Sequence, residues 1–199
     1  MEGKDYKDRI SDRTDLVFRL THLTRGNDDD QAFENLWKIV TEKKLLGSGK
    51  TGFIVGDSKA TCFQEVPLYS IVENLRFEER IEGRKRYSWF GLRFNKIRMY
   101  NNGARPVIYG ITTELKDILP PSEYWRIVKM DLNSDQIIDW SHEREWRVKG
   151  DFAFEYDDIE ILVKDDEYYR RFVKRCFEQD RKDIIEGVHG IVPLNTVIL

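Results

Sequence analysis

Residues 16–23, LVFRLTHL, alternate along the chain. Leu16, Phe18, Leu20 and His22 fall on one side of an extended segment, and Val17, Arg19, Thr21 and Leu23 on the other. The pattern predicts a strand, with His22 at its end on the face that carries the apolar residues. The period then changes. In GNDDDQAFENLWKIVTEKKLLGSG, residues 26–49, Phe33, Leu36, Trp37 and Val40 recur at helical spacing. The aspartates at 28–30 offer an N-cap and Gly47 a stop, so a helix is predicted.

Short apolar runs follow at 53–55 and 60–63, then a helical pattern over 68–80 with Leu68, Ile71, Val72 and Leu75 on one face. A basic loop, EGRKR, leads into a predicted strand, YSWFGLRF. A turn at NNGARP precedes another strand at 107–110, VIYG, and Pro120-Pro121 marks a loop. Strands are also predicted at 124–130 (YWRIVKM), within 137–149 and at 159–163, and a last short one at 196–199. Residues 165–180 are helical in pattern, with Tyr169, Phe172, Val173 and Cys176 on one face.

Seven or eight short strands and about three helices, without regular strand–helix alternation, predict an α+β fold. The expected arrangement is a single domain over residues 15–199, with a mixed, mostly antiparallel sheet flanked by the helices. Residues 1–14 are charged and lack a period, which predicts a flexible N-terminal arm.

Composition narrows the function classes. The 199 residues include 33 Lys and Arg against 36 Asp and Glu, a net charge of −3, so the chain as a whole is not a basic nucleic-acid binder. Charged residues make up 35%, and no apolar run approaches the ~20 residues that span a bilayer. A membrane protein is not expected, and the polar start, MEGKDYKDRI, does not read as a signal peptide. Two cysteines, Cys62 and Cys176, suit a reducing cytoplasm and read as core residues.

Two apparent motifs fail. GSGKTG at 47–52 lacks the first glycine of a phosphate-binding loop, where Lys44 stands, and it follows a helix rather than a strand. His22, His142 and His189 are far apart and no HExxH or CxxC occurs, so no metal is expected.

The informative segment is IIDWSHEREWRV, residues 137–148. If Glu143 to Val148 is extended, Glu143 and Glu145 share one face, and Arg144 and Trp146 the other. Two carboxylates so close must be solvated, paired or used. The plain explanation is an exposed strand face with Glu143, Glu145 and Arg147 in salt-bridge contact.

With these residues in view, the chain resembles the abortive-infection proteins of the AbiGi type and related bacterial proteins of unassigned function. The likeness rests on LTHLTR…FENLWKIVTEKKLLGS, CFQEVPL, YSWFGLRFNK…GARPVIYG and EREWR, and spans residues 16–148. More distantly, the chain is similar to DarT-type ADP-ribosyltransferases, which open with a His-containing strand and a helix and supply a catalytic Glu late in the chain. The resemblance implies an ADP-ribosyltransferase-like fold. It also implies an NAD-dependent activity, without metal, in phage defence or a toxin–antitoxin system. By the same resemblance His22 holds the nicotinamide ribose side of NAD, helped by Thr24 at that edge and by Tyr109 from a central strand. Glu143 and Glu145 form the Glu-x-Glu pair, with Glu145 catalytic.

That chemistry is coherent. Breaking the glycosidic bond of NAD builds positive charge on the ribose, which a fixed carboxylate stabilises. A second carboxylate can orient or deprotonate the nucleophile. Two alternatives stand beside it. One is a non-catalytic, antitoxin-like protein that acts on a cognate toxin or antitoxin partner. The other is a nucleic-acid binder using Arg84, Lys85, Arg86, Arg93, Lys96 and Arg98, with Trp89, Phe90 and Phe94 interleaved to stack on bases.

Overall fold

The alternating segment forms β1 (Arg19–Leu23), and the helical period after it forms α1 (Asp29–Glu42) in a computed structural model that describes residue 8 and residues 13–50, 53–81, 86–133 and 137–197. The Asp28 carboxylate accepts the Gln31 N–H at 2.7 Å and so satisfies one of the open donors of the first turn. The helix ends before Gly47. Lys43 takes a left-handed conformation (φ 51°) and its N–H caps the Ile39 and Val40 carbonyls. Asp28→Ala is expected to lower stability by about 1 kcal/mol in urea denaturation, with the fold retained.

The next elements are β2 (Lys44–Leu45), β3 (Ala60–Gln64), α2 (Leu68–Arg80), β4 (Gly91–Asn95) and α3 (Lys96–Asn101). After them come β5 (Arg105–Pro106), β6 (Ile108–Gly110), α4 (Thr112–Ile118) and β7 (Ile127–Lys129). The chain continues through β8 (Glu145–Lys149), β9 (Phe152–Ala153) and β10 (Ile159–Val163), then α5 (Asp166–Glu178), α6 (Lys182–Gly187) and β11 (Gly190–Pro193). The fold is α+β with a mixed sheet of short, mostly antiparallel strands, as the pattern predicts. The three long helices stand where their periods place them.

Several strands are shorter than expected. YWRIVKM opens as a 3-10 turn, Pro121–Arg126, and only its end is strand. YSWFGLRF becomes extended at Gly91, and 137–149 only at Glu145. The final strand lies at Gly190–Pro193 rather than 196–199; Leu194–Thr196 is a 3-10 turn and residues 198–199 lie outside the described residues. The expected arm lies mostly outside them as well. GSGKTG forms no phosphate loop in its described part: Ser48 pairs with Ala60 through two backbone hydrogen bonds of 2.9 and 2.8 Å.

The chain groups into two units. The first comprises Met1–Lys43, Val66–Lys96 and Phe154–Leu199. In it β1 pairs antiparallel with β4, β4 antiparallel with β10, and β10 parallel with β11. Its core holds Leu20, Phe33, Phe90, Phe94 and Phe172, all fully buried. The second comprises Lys44–Glu65 and Ile97–Ala153. There β8 lies between β3 and β5, antiparallel to both; β2 pairs with β9 and β6 runs parallel to β7. Phe63 packs edge-on against Phe152, and Ile54, Ala60 and Trp125 form a further buried group.

Candidate functional site

The EREWR segment does not run extended throughout. Ser141–Glu143 is a 3-10 turn, and Arg144 follows in a left-handed conformation (φ 45°) that redirects the chain into β8. Glu143 therefore sits on the turn before the strand, buried, and strand alternation does not relate it to Glu145. Both carboxylates nevertheless act on the Tyr109 hydroxyl and help to raise its pKa.

Within β8 the period of two holds. Glu145 and Arg147 share a face, and Arg147 grips the carboxylate with two hydrogen bonds, Nε to Oε1 at 2.8 Å and a terminal nitrogen to Oε2 at 3.2 Å. The pair is not on an exposed face: the Arg147 and Glu145 side chains are 4% and 11% exposed. The other guanidinium arm donates to the Trp125 and Ile127 carbonyls at 2.7 and 3.1 Å, tying the start of β7 to the sheet. On the opposite face, the Trp146 indole donates to Glu65 at 2.6 Å.

The register sets β3 beside this pair, with Cys62 opposite Arg147 and Gln64 opposite Glu145. Burial, reinforced by the Glu145 charge, pushes the Cys62 thiol far above its ordinary range, which favours the neutral thiol. Burial likewise raises Cys176, to about 11. Gln64 is the residue the sequence did not single out. It is buried, and its amide nitrogen has no acceptor among the described residues. The Trp125 indole N–H is in the same condition. Buried donors without acceptors are costly and rare in native proteins, and they are satisfied when a ligand or water supplies oxygen.

Tyr109, on β6, belongs to the same site. Its hydroxyl oxygen accepts the Glu145 N–H at 2.9 Å, which leaves the phenolic proton to donate elsewhere. Burial raises this phenol to about 12, so it stays protonated at neutral pH. Tyr109, Gln64, Glu145 and Arg147 thus form one polar group in the second unit.

His22 and Thr24 belong to the first unit. His22 is half-buried on β1, opposite Leu92. The β4 backbone approaches so closely there that a Cβ at Gly91 would lie 2.3 Å from the His22 carbonyl oxygen. The Thr24 hydroxyl is spent inside the fold, 2.9 Å from the Ser88 hydroxyl and donating to the Phe90 carbonyl at 3.1 Å. It closes the end of β1 against the segment entering β4.

The basic stretch differs from its expectation. Arg84 and Lys85 lie outside the described residues, and Arg86 is exposed, its N–H donating to Glu78 at 3.0 Å. Trp89, Phe90 and Phe94 are buried core residues, so they present no face on which bases could stack. Among the described residues no His, Cys, Asp and Glu cluster is arranged to hold a metal ion, and no helix is long and apolar enough to cross a membrane. Comparison with protein-family models, with curated proteins and with solved structures gives no match.

Proposed function

We propose that the protein is an NAD-dependent ADP-ribosyltransferase acting in bacterial phage defence or a toxin–antitoxin system. One observation carries this reading: the Gln64 amide, buried and without an acceptor among the described residues, lies in register with a carboxylate that Arg147 grips with two hydrogen bonds. A ribose hydroxyl or carboxamide oxygen is the kind of acceptor that amide requires. The fixed Glu145 carboxylate would face charge developing on a ribose without reorganising, and the Tyr109 hydroxyl adds a donor. The more distant resemblance to DarT-type transferases, a His-containing first strand followed by a helix and a Glu late in the chain, supplies the ligand's identity.

A second reading, a non-catalytic partner of a cognate toxin or antitoxin, is favoured by a different observation. Both Glu145 oxygens are already bound by Arg147, which offsets the negative charge a transferase would use.

Gln64→Leu separates the two. It removes the unpartnered donor at similar volume, so stability should hold or rise, whereas a bound acceptor would lose about tenfold in affinity. The measurements are NAD binding by calorimetry and nicotinamide release in the presence of cell lysate and of single-stranded nucleic acid. Release by wild type that falls in Gln64→Leu supports the enzyme. A wild type that neither binds NAD nor releases nicotinamide leaves the contact reading in its place.

A further inference from the structure

The first unit carries a second polar cluster that the transferase reading does not use. Arg19 on β1, Arg93 on β4 and Glu160 on β10 project from one sheet face: Arg93 is opposite Thr21 in one register and opposite Glu160 in the other. The two oxygens of the single carboxylate are divided between the cations, Arg19 meeting Oε1 and Arg93 meeting Oε2, each at 2.9 Å.

The charges do not balance. Among the described residues two guanidiniums, protonated at any physiological pH, face one carboxylate, which leaves one positive charge in a sheltered place. The Arg19, Arg93 and Glu160 side chains are 27%, 18% and 17% exposed, so they are sheltered yet reachable. An excess charge there is costly unless an anion completes it. Burial, together with Arg19, lowers the Arg93 pKa despite Glu160. Each guanidinium has five N–H donors, and Glu160 uses few of them. The neighbouring strand also leaves room. Gly190 is the register partner of Glu160, and a Cβ built there would meet nothing within 4 Å. Among the described residues the cluster is thus a cationic notch with unused, forked donors and open space beside it.

We propose that Arg19 and Arg93 form an anion site for a phosphate group, with Glu160 between the two guanidiniums offsetting one of their charges. Phosphate fits because its oxygens accept forked N–H pairs from two directions at once. The group could be carried by a free nucleotide or by a polynucleotide backbone. The proposal stands on this cluster alone and does not depend on NAD chemistry at Gln64 and Glu145.

The experiment is calorimetric titration of the full chain with inorganic pyrophosphate, ADP and a short single-stranded oligonucleotide, for wild type, Arg19→Gln and Glu160→Gln. Wild type is expected to bind pyrophosphate, and Arg19→Gln to bind it at least about tenfold more weakly, the loss of a charged hydrogen bond. Glu160→Gln removes the competing carboxylate and is expected to bind more tightly. Oligonucleotide binding displaced by pyrophosphate assigns the group to a polynucleotide. ADP binding without oligonucleotide binding assigns it to a free nucleotide. Circular dichroism checks folding of each variant. No binding by wild type overturns the site, as does equal binding by folded Arg19→Gln. If Arg19→Gln does not fold, Glu160→Gln decides: unchanged or weaker pyrophosphate binding would mean that the triad only braces the sheet.

Discussion

Arg147→Met is expected to destabilise the protein by about 3–5 kcal/mol, the penalty for stripping one partner from a buried ion pair. The side chain does three things at once. It neutralises Glu145, it is almost fully buried, and it satisfies the Trp125 and Ile127 carbonyls across from β8. Methionine keeps much of the volume but leaves a carboxylate in a poorly hydrated place. The double variant Arg147→Met, Glu145→Leu should recover the carboxylate's share of the loss, because an apolar pair carries no charge to desolvate. It should not recover the share from the Trp125 and Ile127 carbonyls, which still lack the Arg147 donor. Urea denaturation of the singles and the double gives the coupling directly. A single variant within about 1 kcal/mol of wild type would mean that water reaches the pair and that the site is more open than its burial indicates. The same geometry governs how activity data on Glu145 are read. Glu145→Gln leaves a buried guanidinium facing a neutral amide, so lost turnover must be judged against a stability measurement.

The hydrophobic period was enough to locate the elements that bury a broad face. Phe33, Leu36, Trp37 and Val40 fixed α1, and Leu20 and the 159–163 run fixed strands of the first unit. Boundaries set by backbone conformation were not legible. Lys43 and Arg144 both adopt positive φ without being glycine, and nothing in their side chains announces it. That single conformation at Arg144 takes Glu143 off the strand, so alternation does not decide where its carboxylate lies. A salt bridge between residues 145 and 147 was readable from their spacing. Its burial was not, since that depends on Trp125 and β7 covering the strand. Gln64 was hidden for the same reason: its sequence context shows a polar residue in a strand, while its missing acceptor is a property of the packed fold. Arg19 and Arg93 are 74 residues apart (93 − 19), and only the β1–β4 register brings them to one carboxylate.

The aromatic core of the first unit should respond as strongly as the ion pair, through a different mechanism. Phe33→Ala is expected to cost about 3–5 kcal/mol, the range for emptying a large buried side chain. Phe33 is fully buried on α1, with Phe90, Tyr168 and Phe172 ring centroids at 6.0, 5.6 and 6.3 Å. The Phe90 and Phe172 contacts are edge-on, a favourable geometry worth about 0.5–1.5 kcal/mol per pair beyond area alone. The Arg171 guanidinium lies 4.5 Å from the ring centroid and is itself anchored to Asp30, one turn earlier on α1. Truncation therefore removes volume, edge contacts and a seat for Arg171 together. Phe33→Leu keeps most of the volume and should lose distinctly less. Phe53 is the control: it is 88% exposed in a left-handed conformation (φ 63°) that glycine tolerates better, so Phe53→Gly should change stability by no more than about 0.5 kcal/mol. Urea midpoints of the three variants order the effects. Equal losses for Phe33→Ala and Phe33→Leu would show that edge contacts, rather than the cavity, dominate this core.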